Sequence, residues 1–377
     1  MANKLFTEFP PVTTEQWDEV IVQDLKGADY EKKLVWKTQE VFAVRPYYRA
    51  ENLKDLKFIG TMPGQFPYVR GTKNNNEWLT RQDYCLCEGV EKANAAAVDG
   101  LGKGVQSIGF CIKSALTVAD FEKLLKGIVI PAVEINFCEV RPKFAVETIG
   151  NFVKYIEAQG VKAEDVRASF DVSPLHILTT KGHFCESKAY DIVAECFKLV
   201  AKYPGIQVAN IEAYDFNEAG ASIAQELGFA LAQGCDYVSA LTDRGIDINE
   251  IGRRIRFTFG VSSNYFFEIA KFRAARVLWA NVMKAFGATC EKAQKICSHA
   301  VTSSWNQTVY DAYVNMLRGT SEAMSAAVAG VHSLEVLPFD YAFRSPGEFS
   351  NRIARNVQSI LKEEARFNKI VDPAAGS

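Results

Sequence analysis

The residues of this chain best equipped for chemistry are carboxylates set far apart: Asp83, Glu139, Asp171, Asp215 and Asp340, with polar or aromatic neighbours Tyr84, Arg141, Ser173 and Tyr214. Gathered around one opening, they could hold a divalent cation, which prefers oxygen ligands, or divide into an acid and a base as their pKa values split. A plainer account is that each Asp caps the helix that follows or accepts hydrogen bonds from its loop. Lys113, residues 262–264 and residues 302–304 join this set by position.

Other reactive types point to structure. The four histidines are His176, His183, His299 and His332, and none has a carboxylate or a second histidine at a spacing that suggests a metal face or a triad. The nine cysteines include a Cys85-x-Cys87 pair but no CxxC. That usage points away from a disulfide framework or structural metal, and toward a reducing, cytoplasmic setting. Cys297 reads as a small core hydrophobe. In the segment 268–279, charges alternate with apolar residues as on a solvated or interface helix.

The elements that must position these residues come in a regular alternation. Short β-rich runs fall at 79–86, 107–113, 133–139, 165–171, 207–213, 255–261, 295–301 and 332–338. Helical periodicity separates them, with helices expected at 144–159, 218–233 and 264–286, each ended by a glycine: Gly160, Gly234 and Gly287. Parallel strands need long crossovers, and eight such units close into a (β/α)8 TIM barrel, whose active sites lie at the C-terminal ends of the strands. The nominated polar residues fall at those ends. A doubly wound sheet is the alternative, weakened because no Gly-rich phosphate loop follows the first strand. Residues 1–60 read as an N-terminal arm with one amphipathic helix, 14–26, too poor in apolar surface for its own core; residues 61–377 read as the barrel.

At 377 residues, 48% hydrophobic, with a formal charge of -2, the chain can bury a large core and offers no basic surface for nucleic acid. No run approaches the roughly 20 apolar residues of a membrane span.

Eight runs together resemble one family. They are Phe66-Pro-Tyr-Val-Arg70-Gly71, Trp78-Leu-Thr-Arg81-Gln82, Tyr214-Asp-Phe-Asn217-Glu218-Ala-Gly220, Gly234-Cys-Asp236-Tyr237, the stretch from Asn264 to Trp279, Ser304-Trp305-Asn306-Gln307, Arg352-Ile-Ala-Arg355-Asn356 and Asp372-Pro-Ala-Ala-Gly376-Ser377. In order and register they are similar to the adenosylcobalamin-dependent acyl-CoA mutases, methylmalonyl-CoA mutase in particular. The resemblance implies a barrel threaded by the pantetheine arm of coenzyme A, and a radical rearrangement between succinyl-CoA and methylmalonyl-CoA. In such an enzyme the cofactor supplies the reactivity and the protein positions the substrate.

The family's catalytic positions are altered here. Where catalytic members carry Tyr-His-Met-Gln-Glu-Ala-Gly, with the histidine donating to the thioester carbonyl, this chain has Asp215, and a carboxylate accepts rather than donates. Where they end Arg-Gln-Tyr on an active-site tyrosine, Asp83 follows Arg81 and Gln82, and Tyr84 is displaced by one residue, which on a strand turns it to the other face. The family's Gln-Asn-Asp is matched only loosely by residues 169–172. No histidine has the Asp-x-His-x-x-Gly context of cobalt ligation, and the run 372–377 falls where the family enters its linker and corrinoid domain.

The resemblance therefore implies a small, non-catalytic subunit that binds no adenosylcobalamin or metal and at most weakly an acyl-CoA. It would support a homologous large catalytic subunit as a heterodimer. Asp83 and Asp215 are then degenerate catalytic positions, and Arg81, Gln82, Tyr84, Asp171, Tyr214 and Asn217 a vestigial barrel mouth. With no pantetheine to admit, the axis is expected to be filled by Phe110, Phe137, Phe170 and Phe257. A catalytic subunit of altered substrate range, or an unrelated metal-dependent barrel using Asp171, Asp215 and Asp340, are the alternatives.

Overall fold

The computed structural model describes residues 7–183 and 186–375, so Cys185 and the last two residues of the C-terminal run lie outside the described residues. Two compact units emerge, Met1–Ile59 and Gly60–Ser377.

In the first unit, the helix Thr14–Asp24 begins with a capping box: Thr13 Oγ1 accepts from the Gln16 amide at 3.3 Å, and Gln16 Oε1 accepts from the Thr13 amide at 3.0 Å. That helix buries none of its residues. Trp17, Val20, Trp36 and Phe42 are all exposed, and Val35 is buried.

The second unit is a closed barrel of eight parallel strands: β1 (Leu79–Cys85), β2 (Ser107–Cys111), β3 (Glu134–Cys138), β4 (Ala168–Val172), β5 (Ile206–Glu212), β6 (Ile255–Val261), β7 (Ser298–Thr302) and β8 (Ser333–Glu335). They pair in chain order, and β8 closes the ring by pairing with both β7 and β1. The principal helices outside are α1 (Val90–Gly102), α2 (Val118–Leu124), α3 (Pro142–Ala158), α4 (Glu186–Leu199), α5 (Ile223–Thr242), α6 (Tyr265–Ala285), α7 (Val314–Ala329) and α8 (Glu348–Glu363).

Gly160 and Gly287 stop their helices with φ of 66° and 91°, as expected. Gly234 does not. The chain makes a short helix, Tyr214–Glu218, then restarts at Ser222 in a capping box with Gln225, and α5 runs through Gly234 to Thr242. The glycine serves close packing instead, because a Cβ there would lie 2.7 Å from the Trp279 ring and 3.3 Å from Phe257. The segment 268–279 is not a solvated helix either. Lys271 and Glu268 are buried, and buried Arg276 donates to the carbonyls of Tyr68, Val69 and Ala329 at 2.9, 2.9 and 2.6 Å.

The largest correction concerns the barrel axis. Phe110, Phe137 and Phe170 stack side by side between sheet and helices: Phe137 meets Phe121 of α2 and Phe152 of α3, and Phe257 meets Trp279 of α6. The opposite parity of each strand points inward, and it is polar. Ser107 Oγ donates to Glu134 Oε1 at 2.8 Å, Asn136 Nδ2 to Ser107 Oγ at 2.8 Å, and Ser169 Oγ to Asn136 Oδ1 at 2.8 Å. Arg256, from β6, crosses the lumen to donate to Ser169 Oγ and Ser333 Oγ, both at 2.9 Å, and to Glu134 Oε1 at 3.2 Å. It also bonds Asn136 and is 1% exposed. The axis is thus filled, by a guanidinium and its hydrogen-bonded ring rather than by phenyl groups.

Candidate functional site

Above the Arg256 layer the barrel opens at the C-terminal ends of its strands into a cavity of about 720 Å³. Its inner wall alternates along each strand as β geometry requires, so that Arg81 and Asp83, Asp171, Glu212, Thr258, His299 and Glu335 face it. Gly109 leaves room for Asp83, since a Cβ there would fall within 1.9 Å of Asp83 Oδ1.

Arg81 is spent locally. Its Nε and Nη2 donate to Asp83 Oδ1 and Oδ2 at 2.6 and 2.9 Å, and Nη2 also lies 3.0 Å from Cys138 Sγ. Burial opposes ionisation of Asp83, but the Arg81 charge and hydrogen bonds prevail and hold its carboxyl below the usual value. Gln82 and Tyr84 turn the other way. Tyr84 packs on Phe110, its hydroxyl fits over Gly100 of α1, and Gln82 Oε1 accepts from Arg355 Nη1 of α8 at 3.1 Å. The cavity extends outward between β1 and α8 and touches both residues there.

Asp171 is 6% exposed with Oδ1 unpartnered, and burial raises its carboxyl despite Arg81 and Arg256 nearby. Glu212 is pushed up to about 8 by burial and by the charges of Asp171 and Asp215. Glu335 reaches about 8 through burial and Asp83, while its Oε1 accepts the Asp83 amide at 3.2 Å. Neither glutamate stands out in a search of strand ends for Asp. Their parity, two residues beyond inward Asn210 and Ser333, is the signal that would have found them.

Asp215 does not stand alone. His176 Nδ1, from the helix Pro174–Lys181 after β4, lies 2.5 Å from Asp215 Oδ2, and this contact raises the imidazole's pKa. His332 Nε2 likewise lies 3.0 Å from Glu134 Oε2. Although burial would raise it, the Arg256 charge and the His332 hydrogen bond hold Glu134 well below the carboxylate range. Sequence spacing hid both pairs because their members come from different β/α units. Tyr214 lines the cavity, but Asn217 does not. Asn217 packs on Gly260 and donates to Glu226 Oε2 at 3.4 Å, at the edge of a sealed cluster in which Lys271 Nζ meets Glu226 at 2.7 Å and Glu268 at 2.6 Å.

Contrary to the expectation from spacing, Cys85 and Cys87 form a disulfide, a local bridge at the end of β1 rather than a framework. Among the described residues, Asp83, Cys111 and Cys138 bring ligand atoms within 4.8 Å of one another, but the Arg81 guanidinium already supplies a cation to that group. Asp171, Asp215 and Asp340 form no such group among the described residues. Asp340 is buried against Arg344 Nε at 2.7 Å.

The remaining family-like runs hold the frame. Arg70 Nε and Arg273 both bond Asp372, the former at 2.9 Å, and Glu218 Oε1 accepts from Ser303 Oγ and the Ser304 amide at 2.9 Å each. A family description, methylmalonyl-CoA mutase, matches residues 105–377. The chain belongs to the methylmalonyl-CoA mutase family. It is 45% identical to a methylmalonyl-CoA mutase small subunit of Porphyromonas gingivalis, over 100% of the chain and 61% of that protein. A small subunit of Streptomyces virginiae is 34% identical over 99% of the chain and 61% of its own length. The Streptomyces virginiae large subunit is 29% identical over 98% of the chain and 54% of its length. The chain thus spans about 61% of the small-subunit relatives it matches. Among the described residues, no helix is long and apolar enough to cross a membrane.

Proposed function

We propose that this chain is the barrel part of a non-catalytic mutase subunit that supports a homologous catalytic subunit in interconverting succinyl-CoA and methylmalonyl-CoA. The observation that carries the reading is Arg256 lying across the lumen, hydrogen-bonded to β3, β4 and β8. An extended pantetheine chain would have to displace a buried guanidinium and leave its partners unpaired, a cost of several kcal/mol. Asp215 adds to it, because the carboxylate at the thioester-donor position is engaged by His176.

The family uses adenosylcobalamin, but the described residues do not fit an axial cobalt ligand. His176 and His332 face carboxylates, His299 lies 2.9 Å from Ser333 Oγ, and His183 Nδ1 lies 3.1 Å from the Lys181 carbonyl. No step is assigned to the cofactor on this chain. The arm, with its exposed aromatics, is suited to cover a partner subunit.

Calorimetric titration with succinyl-CoA tests the reading. No saturable heat is expected from this chain, whereas micromolar affinity would overturn it. Co-expression with a histidine-bearing large subunit should give a stable complex, weakened by deleting residues 1–56; unchanged co-purification would remove the arm's role.

A further inference from the structure

Four cysteines stand along one side of the cavity mouth. Cys85 ends β1, Cys111 ends β2 and Cys138 ends β3, and the three are paired in register across the sheet, with Cys87 two residues beyond Cys85. In-register residues of neighbouring parallel strands share one face at about 4.8 Å, a backbone spacing that a disulfide can span. The Cys111 and Cys138 sulfurs lie within 4.8 Å of each other. The members of this row differ in chemical state. Cys85 is bridged to Cys87, and both are exposed at the lip. Cys138 is buried and donates its thiol proton to Asp83 Oδ2 at 3.1 Å; the Cys111 contact, burial and the Asp83 charge all keep it a thiol. Between them, Cys111 is a free thiol partly open to the cavity.

A bridge between residues two apart in sequence closes a very short loop, so it constrains the unfolded chain little and the fold does not depend on it. Exposed bridges of this kind are the ones that exchange. We propose that Cys85, Cys87 and Cys111 form a thiol–disulfide exchange site, at which a small thiol entering the cavity moves the bridge from Cys85–Cys87 to Cys85–Cys111. The geometry supplies each participant: an exposed disulfide, a free thiol abreast of it on the next strand, and a cavity of about 720 Å³ with room for a thiol of tripeptide size. The site uses only this row of sulfurs and is independent of the mutase reading.

The exchange balances without an outside oxidant or reductant. The incoming thiolate bonds Cys85 Sγ, the Cys85–Cys87 bond breaks, and Cys87 leaves with the electron pair and takes up a proton. Cys111, having released its proton to solvent, then attacks Cys85 Sγ and expels the small thiolate. One disulfide is broken and one formed, and the new one ties β1 to β2 at the mouth.

The test uses the full chain purified without reductant. Of its nine cysteines, the two in the bridge leave seven thiols to react with dithiobisnitrobenzoate after denaturation, and nine reactive thiols would overturn the proposal. The native protein is then incubated with reduced glutathione, quenched in acid, alkylated and mapped by mass spectrometry. Peptides joined through Cys85 and Cys111 are expected. In a second arm, Cys87→Ser is treated with oxidised glutathione, which should leave the Cys85–Cys111 bridge and little bound glutathione. Cys87→Ser combined with Cys111→Ser should retain roughly ten-fold more glutathione on Cys85, because no thiol remains beside it to expel the adduct. Cys111→Ala replaces Cys111→Ser should that variant fail to give a cooperative melt. The proposal is overturned if the native bridge survives millimolar glutathione, if it opens without Cys85–Cys111 forming, or if the double variant holds no more glutathione than Cys87→Ser alone.

Discussion

Replacing Glu335 by Gln should make the half-buried site more stable in mild alkali. The folded state holds the Glu335 proton until about pH 8, whereas an unfolded glutamate releases it near 4.5. The stabilisation from that tightly held proton is complete below 4.5 and is lost as pH rises through about 8. At about 1.4 kcal/mol per pH unit, ionising the group costs on the order of 5 kcal/mol. Glu335 borders an open cavity, and water there reduces this to about 2–3 kcal/mol. Gln keeps the Oε1 that accepts the Asp83 amide and cannot ionise. Thermal melts from pH 4.5 to pH 9.5 should therefore fall for the parent between about 4.5 and about 8, level off above that, and stay flatter throughout for Glu335→Gln. The variant should lead by roughly 5 °C at pH 9. Parallel curves, or a variant less stable than the parent at pH 9, would refute the assignment of a proton-holding carboxyl at Glu335.

Two further substitutions probe the frame. Lys271→Met strands Glu226 and Glu268 in a sealed site, and urea unfolding should show a loss of about 3–5 kcal/mol, partly recovered by adding Glu226→Gln. Gly234→Ala forces a methyl to 2.7 Å from Trp279 and should cost about 1–3 kcal/mol, while Gly150→Ala in α3, with open space around it, should be neutral or slightly stabilising.

The barrel was legible because β-rich runs and helical periods alternate strictly, and all eight expected strands overlap observed ones. What escaped was anything set by contacts between units. Gly234 resembles a helix stop until Trp279 and Phe257 are seen against it. The charges of α6 suggest a solvated face until Glu226 arrives from α5 to pair with Lys271. The phenylalanines face the helices and not the axis, and the strands themselves carry that answer. In Ser107-Ile-Gly-Phe-Cys111 and Ala168-Ser-Phe-Asp-Val172, polar or small residues alternate with large apolar ones. In a barrel wrapped by helices the greasy parity belongs outside, where apolar helix faces need cover, and the polar parity is left to the lumen. Of the candidate mouth residues, Arg81, Asp83, Asp171 and Tyr214 do line the cavity, while Asn217 is drawn away by Glu226.

The long reach of Arg256 bears on how the molecule comes together. Its guanidinium binds Glu134 in the third strand and Ser333 in the eighth, positions from opposite ends of the barrel sequence joined through the same hub. Until the final strand docks, a positive charge destined for a dry interior keeps an empty coordination place, so partial cylinders gain little from closing early. Completion should be a late event in which one side chain of the sixth stave ties together the third, fourth and eighth.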